Sequence, residues 1–107
     1  MKKYKVQLTP RARASITRII SQLEAKVSKT VAQHVRRGIM GAIRRLNTFP
    51  ESHEVFEQIS TEKVVYHRTL QWEYKIVFTV QNDNLKVVVV QVYHGSRGDD
   101  WVKNQFS

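Results

Sequence analysis

The sequence predicts an α+β fold in which an N-terminal strand and an antiparallel helical hairpin pack on a small antiparallel β-sheet. Three observations predict it: residues 2–8 alternate apolar and polar side chains, residues 10–47 repeat apolar side chains at helical spacing, and residues 63–94 contain three apolar, β-branched runs. Neither a repeat nor a linker interrupts this order. We therefore expect one domain spanning residues 1–107, long enough for a single core.

The first strand is predicted over residues 2–8 and leads directly into the first helix. Thr9 and Pro10 are typical of a helix N-cap followed by the first helical residue, where the missing N–H of proline costs nothing. Ser28 is expected to end this helix and to cap the next one. The expected buried stripe comprises Ile16, Ile19, Ile20, Leu23 and Val27.

The second helix is predicted over residues 29–47. Gly38 and Gly41 each cost about 1 kcal/mol relative to alanine inside a helix, so we attribute both to close helix packing. Four arginines on the exposed side are either a solvated face or an interaction surface. The expected buried residues are Val31, Val35, Ile39, Ala42 and Leu46, and the exposed arginines are Arg36, Arg37, Arg44 and Arg45.

The sheet is predicted from three strands over residues 63–70, 73–80 and 85–94, preceded by an acidic loop with a short strand near Val55. A two-residue turn at positions 71 and 72 would place Arg68 directly opposite Lys75, and a symmetric second turn would pair Lys75 with Val90. Residues 95–100 are interpreted as a turn, and residues 101–106 as a last helical turn or a loose end.

This register divides the strands into a polar and an apolar face. Like charges directly opposite each other cost up to about 1 kcal/mol, so Arg68 and Lys75 either bend into solvent or bind an anion. Because Arg97 also follows the same strand end, we favour an anion site. The polar face is expected to hold Tyr66, Arg68, Lys75 and His94, and the core face Val65, His67, Ile76, Phe78, Val80, Val87 and Val89.

Composition narrows the possible functions. The net charge is +9, and residues 1–48 contain twelve Lys and Arg against the single acid Glu24, so the expected partners are polyanions or acidic proteins. The chain has no cysteine and no histidine pair at ligand spacing, and we expect neither a metal nor another cofactor. No apolar run approaches the about 18 residues of a membrane span, so we expect a cytoplasmic protein without a membrane partner.

Four segments together carry a resemblance to a known superfamily. They are Tyr4-x-Val6-x-Leu8-Thr9-Pro10-x-Ala12, Leu46-x-x-Phe49-Pro50, Arg68-x5-Tyr74-Lys75-Ile76-Val77-Phe78 and Val92-Tyr93-His94-x-x-Arg97. In these segments the chain resembles the RelE/ParE superfamily of bacterial toxins from toxin–antitoxin pairs. The resemblance implies a RelE/ParE toxin-like fold and a small basic toxin that is neutralised by an acidic antitoxin encoded beside it.

Within this superfamily, RelE-like members cleave messenger RNA on the ribosome and ParE-like members inhibit DNA gyrase. The resemblance therefore implies a ribosome-dependent mRNA endoribonuclease that inhibits translation, with the ribosome and mRNA as partners. The alternative is a non-nuclease toxin that inhibits DNA gyrase through its helical hairpin. A third interpretation is a relic that retains only binding to its antitoxin.

For the nuclease, the resemblance assigns a role to each member of a basic cluster. Lys75 would hold the scissile phosphate, and Arg68 would activate the attacking hydroxyl or stabilise the transition state. His94 would act as general acid or base, since histidine titrates near neutral pH, and Arg97 matches the basic residue after the last strand. The RNA-binding candidates are Tyr66, Trp101, Arg36, Arg37, Arg44 and Arg45.

Overall fold

The computed structural model describes residues 2–106; Met1 and Ser107, the two ends of the expected domain, lie outside the described residues. Its elements confirm the predicted α+β fold class. The strands are β1 (Lys5–Leu8), β2 (Glu54–Val55), β3 (Tyr66–Gln71), β4 (Tyr74–Gln81) and β5 (Lys86–His94), and the helices are α1 (Pro10–Lys26), α2 (Lys29–Arg44) and α3 (Asp99–Phe106). Short 3-10 turns cover Arg45–Asn47, Pro50–Ser52 and Gly95–Arg97. No helix among residues 2–106 is long and apolar enough to cross a membrane.

The five strands form one sheet in the order β1-β5-β4-β3-β2. Neighbouring strands are antiparallel except β1, which runs parallel to β5, so the sheet is mixed rather than purely antiparallel. A parallel pair needs a long crossover connection, and here the connection comprises everything between β1 and β5. The short strand predicted near Val55 is present as β2 at the sheet edge.

The helical hairpin of α1 and α2 packs on one face of the sheet and forms the main core with it. Both predicted caps are confirmed: the Thr9 hydroxyl accepts from the Ala12 N–H and the Ser28 hydroxyl from the Val31 N–H, each at 3.1 Å. Val27 and Val31, predicted to be buried, are 61% and 39% exposed because they flank the turn at Ser28, where the packed stripe ends.

The two helical glycines have different surroundings. Gly38 packs against the indole of Trp72, so a β-carbon at this position would collide with the ring. The close approach is confirmed, but its partner is the β3–β4 turn rather than a helix. The side chain nearest Gly41 is that of Arg45, 3.4 Å from the position of an added β-carbon. The packing interpretation is therefore wrong for Gly41.

The other face of the sheet carries a second, smaller core beneath α3. The segment predicted as a last turn or a loose end is a helix of eight residues, and it is anchored by the fully buried Val102. This helix covers the face from which Arg68 and Lys75 project. The second core comprises Phe56, Ile59, Val77, Tyr93 and Val102.

Candidate functional site

The first hairpin turns one residue later than predicted. Trp72 and Glu73 form the turn, Gln71 pairs with Tyr74, and Lys75 lies opposite Leu70. Trp72 adopts a left-handed backbone with φ 54°, a conformation that two-residue hairpin turns favour, and its indole is held against α2. The expected direct opposition of Arg68 and Lys75 is therefore wrong, since Arg68 pairs with Val77, two residues further along β4.

The second hairpin contains a β-bulge that the sequence did not predict. Val77 pairs with Gln91 and Phe78 with Val89, which leaves Val90 as the extra residue. The expected pairing of Lys75 with Val90 is wrong, because Lys75 pairs with Tyr93. His94 pairs with Tyr74 and faces the helical hairpin, so the prediction that it shares a face with Lys75 is also wrong.

A compact ionic cluster replaces the predicted basic face. The Asp99 Oδ1 atom accepts from Arg68 Nη1 at 2.8 Å, from Lys75 Nζ at 3.1 Å and from the Tyr93 hydroxyl at 3.1 Å. We call Arg68, Lys75, Tyr93 and Asp99 the Asp99 cluster. Arg68 also pairs with Glu54 at 2.9 Å. The anion that relieves the two basic side chains is thus a carboxylate of the protein itself, supplied by the first residue of α3.

The charge states of the cluster follow from its contacts. Burial alone would lower the pKa of Arg68, but hydrogen bonds with Tyr93, Glu54 and Asp99 raise it. Burial raises the pKa of Tyr93 to about 12, so its hydroxyl is a donor rather than a base at neutral pH. Partial burial would raise the pKa of Asp99, but hydrogen bonds from Lys75 and Arg68 outweigh it and lower the pKa. The cluster therefore holds a carboxylate among three donors.

The hydrogen bonds of His94 and the stacking of Arg97 involve residues outside the Asp99 cluster. His94 Nε2 is 3.0 Å from Glu73 Oε2, and His94 Nδ1 lies 2.8 Å from the Ser96 hydroxyl and accepts from the Ser96 N–H. The Arg97 guanidinium stacks over the Trp101 ring at 4.6 Å. Of the four predicted catalytic residues, only Arg68 and Lys75 share a hydrogen-bond partner. His94 lines one pocket with Lys75 and another with Arg97, without a hydrogen bond to either.

The RNA-binding candidates fall into two groups. Tyr66 and Trp101 are half-buried on the α3 side of the sheet, where Tyr66 lies 5.5 Å from the Phe106 ring and Trp101 lies 5.8 Å from the Tyr93 ring. The four arginines in α2 and directly after it are all exposed. Their binding roles stay predictions. These exposed residues are Arg36, Arg37, Arg44 and Arg45.

Sequence reasoning missed Tyr93 and Asp99. Strand alternation placed Tyr93 on the wrong face, because the bulge reverses the face of every residue beyond it in β5. Asp99 had a usable signal: it begins an acidic pair after Gly98, and acids are favourable in the first turn of a helix. A helix that begins at this acidic pair has the Asp99 carboxylate in its first turn.

The lowered pKa of Asp99 gives an expected pH dependence. A carboxylate with a lower pKa in the folded than in the unfolded state stabilises the fold above its unfolded pKa of about 3.9, and this stability is lost as the pH falls through the folded value. Between pH 6 and pH 3 we expect the wild type to lose more free energy of unfolding in urea titrations than Asp99→Asn. Asp100→Asn should behave as the wild type, and equal losses in all three proteins would contradict this.

A family model matches the sequence of this chain, and solved structures share its fold. The family model for the ParE toxin of the type II toxin–antitoxin system parDE matches residues 6–98. A chain from the chromosomal ParDE system of P. aeruginosa superimposes with a TM-score of 0.68 at 12% identity, covering 86% of this chain and 96% of that chain.

Two further structures share the fold at low identity. The RelBE2 toxin–antitoxin complex of Mycobacterium tuberculosis has a TM-score of 0.58 at 18% identity, covering 88% of this chain and 93% of that chain. The RelE–RelB complex of Pyrococcus horikoshii OT3 has a TM-score of 0.59 at 13% identity, covering 91% of this chain and 98% of that chain. No curated protein matches the sequence. Because the family model spans most of the chain, this protein belongs to the ParE family of toxins from type II toxin–antitoxin systems.

Proposed function

We propose that this toxin acts by binding DNA gyrase and not by cleaving messenger RNA. The observation that carries the proposal is that the expected catalytic residues belong to different hydrogen-bond networks, although His94 and Lys75 line one pocket. His94 is bonded to Glu73 and Ser96, whereas Lys75 and Arg68 are paired with Asp99 on the other face of the sheet. General acid–base catalysis needs a proton donor or acceptor within hydrogen-bond reach of the reacting atoms, and no histidine belongs to the Asp99 cluster.

The exposed arginines of the helical hairpin are the proposed target-binding surface. Arg36, Arg37 and Arg44 project from α2, and Arg45 follows it and donates to the Gln71 side chain at 3.2 Å. No acidic residue lies in α2 to neutralise them. Such a field accelerates association with an acidic surface and contributes specificity. Because no acidic side chain of α2 pairs with these arginines, their charge is available to a partner, which supports a binding role.

The antitoxin is the second partner implied by the family. The similar structures from M. tuberculosis and P. horikoshii are toxin–antitoxin complexes, and we propose an acidic antitoxin for this chain because its net charge is +9. An acidic segment that is disordered alone would order on this basic surface, and the charge complementarity would offset part of the ordering entropy.

A ribosome-dependent endoribonuclease is the second candidate, and one observation favours it. Arg68, Lys75 and Tyr93 converge on a single oxygen atom of Asp99, at distances between 2.8 and 3.1 Å. Three donors aimed at one oxygen are an arrangement that could also stabilise the charge of a phosphate during metal-free cleavage. This candidate requires Asp99 to leave and another group to supply the proton transfer.

Brief expression in bacteria distinguishes the two candidates. From the same cells, plasmid supercoiling reports gyrase activity and mapping of new 5′ ends on translated messages reports cleavage. We expect altered supercoiling with intact messages. We expect Lys75→Ala to retain the supercoiling effect. When Arg36, Arg37, Arg44 and Arg45 are all alanine, we expect about 100-fold more toxin to be needed for the same effect, as for loss of a strong binding surface.

A charge-matched control keeps this experiment specific. Alanine at the exposed residues Lys2, Lys3, Lys63 and Lys103 removes the same charge as the four arginine changes and should leave the supercoiling effect within a few-fold of the wild type. Codon-phased cleavage that disappears with Lys75→Ala, together with normal supercoiling, would overturn the gyrase proposal and establish the nuclease.

A further inference from the structure

We propose that α3 is a latch, in which the Asp99 carboxylate occupies a phosphate-binding site formed by Arg68, Lys75 and Tyr93. The inference goes beyond either candidate function, since it concerns what competes for this site and not which target the toxin disables. Its basis is the convergence of three donors on the Asp99 Oδ1 atom. An anionic oxygen is already stabilised at that position, so a phosphate oxygen would meet the same donors there.

The backbone positions of the three donors are set by the sheet and not by α3. Lys75 of β4 and Tyr93 of β5 are direct cross-strand partners. Arg68 of β3 pairs with Val77, which lies two residues from Lys75 on the same face of β4. The Arg68 guanidinium also lies over the Phe56 ring at 4.2 Å and bonds Glu54. Removal of Asp99 would therefore leave three donors on one face of the sheet, with Arg68 still oriented by Phe56 and Glu54, and converging donors are what a binding site for an oxyanion requires.

Asp99, in contrast, is carried on a segment that can move as a unit. Gly98 precedes α3 with φ 75° and nothing within 4 Å of the place a β-carbon would occupy, so the chain has unhindered space at the connection. Beyond the Asp99 contacts, the helix is held by Val102 in the second core, with Trp101 and Phe106 packed against that core, by a Gln105 Oε1 bond from the Gln91 amide at 2.6 Å and by Arg11 donating to the Gln105 carbonyl at 3.2 Å. Val102 is the one buried residue of this short helix, which makes α3 a candidate for local opening.

The neighbouring acid shows that the placement is specific to Asp99. Both Asp99 and Asp100 lie in the first turn of α3, where either would favour the helix dipole. Only Asp99 turns inward and accepts from the cluster, whereas Asp100 is exposed. Helix capping alone does not require an inward carboxylate with three donors. The pair also provides two substitutions with equal change of charge and different consequences.

The test compares phosphate binding by the wild type, Asp99→Asn and Asp100→Asn at fixed ionic strength. Inorganic phosphate and an uncleavable five-nucleotide single-stranded DNA are the probes, and amide chemical shifts of residues 66–106 report binding. We expect Asp99→Asn to bind either probe about tenfold tighter than the wild type, the order of one charge-assisted hydrogen bond. Asp100→Asn should stay within about twofold of the wild type, the order of an exposed charge interaction. A gain with both probes identifies a nucleic-acid backbone as the ligand, and a gain with inorganic phosphate alone identifies a free phosphate ester.

A second measurement uses the wild type itself and does not depend on a substitution that alters folding. Saturation with inorganic phosphate should accelerate hydrogen exchange of the α3 amides, because the ligand competes with Asp99, while exchange in β4 should slow or stay unchanged. Equal affinities of Asp99→Asn and Asp100→Asn, or slower exchange in α3 on binding, would overturn the latch. Because neither readout involves toxicity, a failure of the gyrase proposal would leave this result intact, and the reverse also holds.

Discussion

Replacing Gln91 by leucine is expected to lower the free energy of unfolding by about 3 kcal/mol, although leucine has a similar size and higher hydrophobicity. Gln91 is 1% exposed. Its Oε1 atom accepts from the Ser15 hydroxyl of α1 and from the Val92 N–H, and its amide donates to Gln105 of α3. Leucine would leave the buried hydroxyl and the buried N–H without partners, and each such loss costs about 1–3 kcal/mol.

Urea unfolding of three further variants separates this effect from a general change in strand propensity. Gln81→Leu alters an exposed residue of β4 and should change stability by less than about 0.5 kcal/mol. Ser15→Ala combined with Gln91→Leu should recover part of the loss, because the unpaired hydroxyl is gone. Gln105→Leu should lower the free energy of unfolding less than Gln91→Leu, because it removes one hydrogen bond of the network and leaves those of Gln91 Oε1 in place. A Gln91→Leu protein as stable as the Gln81→Leu protein would contradict the role of this network.

Features set by a few consecutive residues were predictable from the sequence. The caps at Thr9 and Ser28 depend on a hydroxyl three residues before the N–H that it accepts from, and both are present. The core-side position of His67 followed from strand alternation, and its ring stacks on Phe78 at 5.5 Å with Nδ1 3.2 Å from the His53 carbonyl. The predicted core-face position of His67 is thus confirmed, and its ring is satisfied by a hydrogen bond, as is usual for a buried polar side chain.

The candidate site was less predictable because it depends on register. β5 reads Lys-Val-Val-Val-Val-Gln-Val-Tyr-His over Lys86–His94, and in such a uniform run no local signal marks Val90 as the extra residue of a bulge. One inserted residue exchanges the faces of all the residues that follow. Tyr93 therefore enters the Asp99 cluster, and His94 leaves the face on which alternation had placed it.

The position of α3 could not be derived from its own sequence either. An isolated helix of eight residues is unstable in water, since nucleation costs more than so few hydrogen bonds return. The Asp99–Phe106 segment is helical because Val102 inserts into the second core and because Gln91 and Arg11 bond Gln105. These contacts join the end of the chain to α1 and β5, far apart in sequence, and only the assembled sheet specifies them.

Alanine at Gly38 and at Gly41 is expected to change stability in opposite directions, although both glycines lie in α2. Alanine in a helix gains about 1 kcal/mol over glycine, and at Gly41 the nearest atoms are the far ends of two arginine side chains, at 3.4 and 3.9 Å, which is ordinary van der Waals contact. At Gly38 the new methyl group would displace the Trp72 indole, which stacks on His34 at 4.9 Å. We expect Gly41→Ala to be stabilised and Gly38→Ala destabilised, with a difference of about 2 kcal/mol between them in urea unfolding.

A double-mutant cycle isolates the indole as the cause. In a Trp72→Ala background the obstruction is absent, so alanine at position 38 should stabilise the protein by about 1 kcal/mol, as at position 41. Because Trp72 is 51% exposed, its ring can move into solvent without unfolding the chain, and fluorescence of the Gly38→Ala protein should shift toward that of exposed tryptophan. Equal stabilities of Gly38→Ala and Gly41→Ala would show that the indole does not hold the β3–β4 turn against α2. The turn register, and with it the placement of Lys75 beside Arg68, would then need another cause.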